Sequence, residues 1–203
     1  MYHIRQLGLV DYQLILDKMK YFTEMRNELT ADEFWILEHN PVFTLGAAGT
    51  EQHIIDNHHT IPILRVDRGG QVTYHGPGQI IIYTLINLTR LKLSIRQLVI
   101  KLENGIINYL AALGITAQGD RAAPGVYIAG KKIASIGLKV RKNCTYHGIS
   151  FNFNMDTTPF NYINVCGYSN LKVVQLKDFI APLDQTTEAL KLANYIIASI
   201  MQE

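Results

Sequence analysis

Arg68-Gly69-Gly70-Gln71-Val72-Thr73-Tyr74-His75-Gly76-Pro77-Gly78-Gln79 is the stretch on which the reading of this chain turns. Four glycines and a proline fall within twelve residues, between two β-rich runs. The backbone there must turn tightly and come close to something. Arg68, Tyr74 and His75 set a fixed cation and two amphipathic rings beside bare N–H groups. That combination suits a polar head group held at one end, with an apolar tail lying along the glycines. No Gly-Lys-Ser/Thr follows and no helix opens here, so the stretch is neither a P-loop nor a dinucleotide fingerprint.

Outward from it, residues 61–67 and 80–88 read as strands, as do 34–38, 42–45, 126–128, 132–140 and 146–154. Asn40-Pro41 marks a turn between two of them. Three segments carry helical periodicity. Residues 12–28 follow an Asp11 cap, with Leu14, Ile15, Met19, Phe22 and Met25 on one side. Residues 95–113 have a Ser94/Gln97 capping box, a stripe of Leu98, Leu102, Ile106, Leu110 and Leu113, and Gly114 as a stop. Residues 186–201 present Leu190, Ala193, Ile197 and Ile200. Strands interleaved with helices predict an α/β or α+β fold on one mixed sheet, within a single domain spanning 1–203.

The chain has 203 residues, 48% of them hydrophobic and 18% charged, which suits a folded globular protein. A net charge of +2 without a Lys/Arg-rich run argues against nucleic acid. No apolar stretch is long enough to span a bilayer, and residues 1–10 show no signal-peptide pattern. A reducing, cytoplasmic setting is therefore expected, with Cys144 and Cys166 as free thiols. His39, His58-His59 and Cys144 show no metal-ligand spacing, so no metal is expected.

Three further stretches carry chemistry. In Gly125-Val-Tyr-Ile-Ala-Gly-Lys-Lys-Ile-Ala-Ser-Ile-Gly137, Ala129-Gly130 reads as a turn into a strand that starts at Lys131. Strict alternation puts Lys132 on one face with Ala134 and Ile136, and Lys131 on the other with Ile133 and Ser135. In Tyr146-His147-Gly148-Ile149-Ser150-Phe151-Asn152-Phe153-Asn154 a half-buried strand is entered through His147-Gly148. In Phe160-Asn-Tyr-Ile-Asn-Val-Cys166-Gly167 a cysteine precedes a turn glycine, where a partly exposed thiol fits.

In this order, with Leu37-Glu-His-Asn-Pro-Val-Phe-Thr-Leu-Gly46 before them, these motifs resemble the octanoyltransferases of lipoate synthesis over roughly residues 30–170. The resemblance implies the fold of biotin and lipoate protein ligases, a mixed sheet flanked by helices. It implies Cys166 as a thioester-forming nucleophile and Lys132 as the group that activates it. Acyl-binding positions correspond to Arg68, Gly69, Gly70, Gln71, Val72, Thr73, Tyr74 and His75, then Ser135, Ile136 and Gly137, then Gly148, Ile149 and Ser150. Gly76 and His147 are supporting positions. The implied donor is octanoyl-acyl carrier protein, which brings the acyl group on its phosphopantetheine, so no cofactor is expected. The implied acceptors are lysines on lipoyl domains of 2-oxoacid dehydrogenases and on glycine cleavage H protein, and a monomer is expected. Two positions depart from the family: Val165 stands where proline is usual before the cysteine, and residues 168–175 differ from the usual Thr-Ser-bearing stretch.

The residue chemistry agrees with that assignment. A thiol with a pKa of about 8.5 is mostly protonated near neutrality, and an adjacent ammonium stabilises its thiolate. Attack on a thioester is close to thermoneutral and needs no ATP, and covalent catalysis of this kind gives ping-pong kinetics. Backbone N–H groups around Gly137 or Gly148 are candidates for the oxyanion. About seven tail carbons at roughly 0.8 kcal/mol each contribute about 5 kcal/mol on burial. Lys139, Arg141 and Lys142 are placed to steer acidic carriers. Two other readings are open: an ATP-dependent ligase on the same fold, and a non-catalytic module that binds lipoyl domains.

Overall fold

The computed structural model describes residues 1–56, 60–167 and 171–202, with the side chain of Cys166 outside the description. Seven strands form one sheet in the order β1-β2-β6-β10-β9-β8-β7. They are β1 (Tyr2–Val10), β2 (Asp32–His39), β6 (Gln79–Leu85), β7 (Gln118–Gly119), β8 (Gly125–Ile128), β9 (Lys131–Arg141) and β10 (Cys144–Asn152). Only β1 and β2 pair in parallel; the rest are antiparallel. A second sheet holds β3 (Val42–Leu45) between β4 (Ile63–Arg65) and β5 (Val72–His75). The single sheet expected from the sequence is thus two, because the chain leaves β2 through Asn40-Pro41 and enters the smaller sheet at Val42. Proline cannot donate to a ladder, so the break falls there.

Helices α3 (Ile95–Ala112) and α4 (Gln185–Met201) cover one face of the large sheet. Their core joins Leu98, Leu102, Ile106 and Leu110 to Leu192, Ile196, Ile149 and Phe151. The Ser94/Gln97 capping box forms as the sequence predicts. On the other face α1 (Tyr12–Met25) buries Tyr12, Ile15, Leu16 and Met19 against Trp35, Leu37, Ile81 and Tyr83. Leu14 and Met25, expected on that inner stripe, are exposed. Tyr12 and Leu16 take the inner positions, so the buried arc is rotated by about one residue. A four-residue helix α2 (Leu88–Leu91) follows β6 where the sequence reading extended the strand. A third core, of Phe43, Tyr74, Phe160, Ile163 and Val165, lies under the small sheet.

Three strands escaped the sequence reading. β1 is largely exposed at the sheet edge and lacks alternation. β7 is two residues long. β5 lies within the glycine segment, where turn residues masked it.

Candidate active site

The α1 face of the large sheet and the glycine segment of the small one border a shared cleft. Arg68, Gly69, Gly70, Gln71, Thr73 and His75 line it from the segment and β5, with Val72 at its border. Lys132, Ser135, Ile136 and Gly137 reach it from β9, and His147, Gly148, Ile149 and Ser150 from β10. Residues spread over 83 positions of sequence therefore meet in one place. A larger hollow of about 1,020 Å³ beside Arg26, Arg90 and Lys142 contains none of them.

Two of the expected positions do not line this cleft. Tyr74 sits in the third core, its ring 5.4 Å from Phe43 and 5.6 Å from Phe160. Alternation along β5 explains this, since Thr73 and His75 face the cleft and Tyr74 faces away. Gly76 packs on the Tyr74 ring instead, where a Cβ would collide with the phenol oxygen.

Lys132 is 2% exposed and lines the cleft. Its face is not the one strict alternation gives. The register between β8 and β9 slips at Val126/Tyr127, which pair with Ala134 and Lys132 and leave Ile133 as an extra residue. This bulge lets Ile133 and Ala134 both enter the core under α3, while Lys132 shares the cleft face with Ser135 and Gly137. The ammonium lies 5.2 Å from the centre of the Tyr127 ring and 3.5 Å from the Ala123 carbonyl oxygen. Gly125 makes the room, because a Cβ there would stand 2.6 Å from Lys132 Cε. Below, Glu103 on α3 accepts the Gly125 N–H at 2.9 Å. Burial pushes the Glu103 carboxyl up, and the nearby Lys132 charge pulls it back.

Cys166 lies in a 3₁₀ turn, Val165–Gly167. Its backbone is bracketed on both sides. Val165 is buried in the third core, and Gly167, at φ 80°, faces the Gln71 carboxamide so closely that a Cβ would lie 2.5 Å from Oε1. Downstream, Lys132 donates its N–H to Lys172 O at 2.8 Å and accepts from Val174 N–H at 3.0 Å. The chain carrying Cys166 is thus held in the third core just before it, and after it packs at Gly167 against the cleft residue Gln71 and bonds to the Lys132 backbone. Val165, where the family has proline, serves here as a core residue.

Arg68 lines the cleft with its guanidinium bonded to the protein's own acceptors. It is buried, donating to Thr44 O at 2.7 Å, Gln71 O at 2.8 Å, Gly69 O at 2.9 Å and Thr44 Oγ1 at 2.8 Å. These bonds fasten the glycine segment to β3. His75 is likewise internal, its Nδ1 2.8 Å from Gln79 Oε1, and burial holds its pKa well below the usual value. His147 is 1% exposed in its side chain, with Nε2 3.0 Å from Asp67 Oδ1. The Gly148 N–H belongs to a strand paired on both sides, with β6 and with β9.

Several cleft residues carried no motif. Tyr12, Ile81, Pro124 and Tyr83 complete the walls. Glu103 and Asp67 stand behind Lys132 and His147, and only tertiary packing brings them there. Arg141 and Lys142, read as steering charges, both pair with Glu24, which offsets much of their field. His58 and His59 lie outside the described residues. Among those described, no three His, Cys, Asp or Glu side chains are grouped to hold a metal, and no helix is long and apolar enough to cross a membrane. Cys144 is a buried free thiol whose pKa burial raises.

Residues 11–198 match the model of the lipoyl protein ligase A/B catalytic domain. An octanoyltransferase of Dechloromonas aromatica is 48% identical over 98% of this chain and 97% of its own length. One from Chromobacterium violaceum is 47% identical over 95% and 93%. Among solved structures, a lipoate-protein ligase A bound with ATP has a TM-score of 0.75 at 14% identity, covering 97% of this chain and 83% of that one. Biotin protein ligase from Aquifex aeolicus has a TM-score of 0.60 at 14% identity, covering 98% and 69%. These last two share the fold.

Proposed function

The chain belongs to the lipoyl protein ligase A/B catalytic family and is an octanoyltransferase of lipoate synthesis, and from that premise we propose a cysteine-borne route for the acyl group. Octanoyl passes from acyl carrier protein to Cys166 Sγ as a thioester, and then to a lysine of a lipoyl domain as an amide. The observation that carries this reading is the buried Lys132, delivered by the β9 bulge into the same cleft as the glycine segment and tied through its backbone to the chain that follows Cys166.

In the first half-reaction the Cys166 thiolate attacks the donor carbonyl, and the bond to the pantetheine sulfur breaks. The departing thiolate takes a proton from the Lys132 ammonium, which the Cys166 proton restores over the cycle. In the second, the acceptor amine attacks the acyl-enzyme, the C–N bond forms, the C–S bond breaks, and Cys166 leaves as thiol. One proton from the incoming ammonium passes to solvent. Burial of Lys132 strengthens its effect on the thiolate, because little water screens the pair. The acyl tail lies along Ser135, Gly137, Gly148 and Ser150, side chains small enough to leave a trough in the sheet.

No cofactor is needed, since the donor carries its own activated carbonyl, and the reducing cytoplasm keeps Cys166 free. The fold is shared with a ligase bound with ATP, so kinetics decide between the two chemistries. Initial rates at varied octanoyl-acyl carrier protein and lipoyl domain, without ATP, are expected to give parallel double-reciprocal lines. Intersecting lines, or transfer only when ATP is supplied, would contradict the proposal.

A further inference from the structure

Lys132 is a cation in a wall that the protein keeps from water. A buried charge is costly unless an opposite charge or hydrogen bonds offset it. The apolar stripe of α3 holds a carboxylate beneath that wall. Glu103 follows Leu102 in the buried arc of the helix and is 7% exposed. Its two oxygens reach the segment that joins β7 to β8. Oε1 accepts the Gly125 N–H at 2.9 Å, and Gly119 leaves room for Oε2, since a Cβ there would stand 2.9 Å from it.

The Lys132 ammonium rests on the same segment. Nζ lies 3.5 Å from the Ala123 carbonyl oxygen, which also accepts the Tyr127 hydroxyl at 2.6 Å. Gly125 turns its bare side to Lys132, where a Cβ would stand 2.6 Å from Cε and 3.2 Å from Nζ. One glycine therefore separates carboxylate from ammonium, its N–H on Oε1 and its Cα against the lysine tail. At that spacing, with little water between them, the two charges attract. The carboxyl registers this. Burial pushes its pKa up first, and the Gly125 N–H and the Lys132 charge pull it back. Asp120, on the exposed loop, is a like charge that pushes it up. From β8 the Tyr127 ring faces the ammonium at 5.2 Å, and the Cys166 thiol is the group on which Lys132 acts in the proposed reaction.

We propose that Glu103 is a positioning residue for the transfer: it seats Lys132 through the 119–125 segment, and its carboxylate keeps the ammonium charged when an acyl group displaces water from the cleft. The inference rests on the octanoyl-transfer reading, in which Lys132 supplies a proton to the departing thiolate, and adds to it the countercharge that keeps that proton in place. Glu103 touches no reacting atom and acts through Lys132. An acyl tail entering the cleft replaces water by hydrocarbon, which favours a neutral amine over an ammonium. A fixed carboxylate one residue away opposes that loss.

The test is kcat/KM for octanoyl-acyl carrier protein, without ATP, from about pH 6 to about pH 10, where thiols and amines titrate. Glu103→Gln keeps an oxygen for the Gly125 N–H and loses the charge. Its alkaline fall is expected about one pH unit below that of wild type, so that at the top of the range it loses roughly tenfold more activity. A folded variant slowed by one factor at every pH, or not slowed at all, would overturn the proposal. If Glu103→Gln does not fold, the reciprocal effect decides. Removing the cation with Lys132→Met should raise the Glu103 titration midpoint, followed by carboxyl NMR, by about one pH unit. An unchanged midpoint overturns the proposal. Absence of transfer by wild-type protein at every pH would remove the octanoyl-transfer reading and the role of Glu103 within it, and the carboxyl titration tells that failure from a missing Glu103–Lys132 pair.

Discussion

Two cations are buried along this cleft, and their surroundings give them different work. Lys132 lines the cleft, its ammonium 3.5 Å from the Ala123 carbonyl oxygen and 5.2 Å from the centre of the Tyr127 ring. Arg68, also at the cleft wall, has short bonds to three carbonyls and a hydroxyl of the protein. A planar fork of five donors suits the second task and a mobile point charge suits the first. Arg68→Lys should therefore keep the charge and lose most of those bonds, lowering stability by about 2–3 kcal/mol. Chemical denaturation would measure it, and a midpoint equal to wild type would contradict the strut assignment. The motif around Arg68 was legible in the sequence, but the direction of its side chain was not. A Gly-rich run says that the backbone comes close to something, and Thr44, 24 residues away, is what it approaches.

At the scale of elements, the sequence speaks most clearly where periodicity meets an end signal. Ser94 and Gln97 cap α3 as read, and β3 runs over the residues expected of it. It speaks least where geometry is set by a partner strand. The bulge that turns Lys132 into the cleft exists because Ile133 and Ala134 are both drawn into the core under α3. Alternation has period two, so one inserted residue reverses every later side chain. No pattern within 131–137 announces the insertion; it is a property of the β8/β9 pair. His147, left-handed at φ 60°, is the second local irregularity, and it likewise moves one side chain across the sheet, to stack on Tyr146. Both irregularities fall at the cleft, where departures from regular geometry are expected to concentrate.

For the whole molecule, the large sheet separates an ordinary core from a chemically dense one. The α3/α4 side is apolar, aliphatic residues with a few phenyl rings and Tyr109, whereas the α1 side buries His39, His75 and His147 within one connected group of rings. Burial lowers the pKa of all three, that of His39 to about 4. The unfolded chain binds protons at these sites near pH 6.5 while the folded chain stays neutral, so stability is full above that pH and falls below it. His39 alone accounts for about 3 kcal/mol between pH 7 and pH 4. Glu103, raised by burial, acts in the opposite direction. Asp67, held low first by His147, contributes its loss only in stronger acid. The denaturation midpoint should therefore drop markedly from pH 7 to pH 4.5, and a flat profile would contradict neutral, buried histidines.

Passage of the acyl group through Cys166 is the central claim, and the chain that follows Cys166 packs at Gly167 against Gln71 and bonds through Lys172 and Val174 to the Lys132 backbone. Intact-protein mass spectrometry after incubation with octanoyl-acyl carrier protein, without ATP, tests that claim most directly. The predicted result is one octanoyl adduct, released by hydroxylamine and absent from Cys166→Ala protein. An unmodified protein that transfers octanoyl only when ATP is present would contradict it.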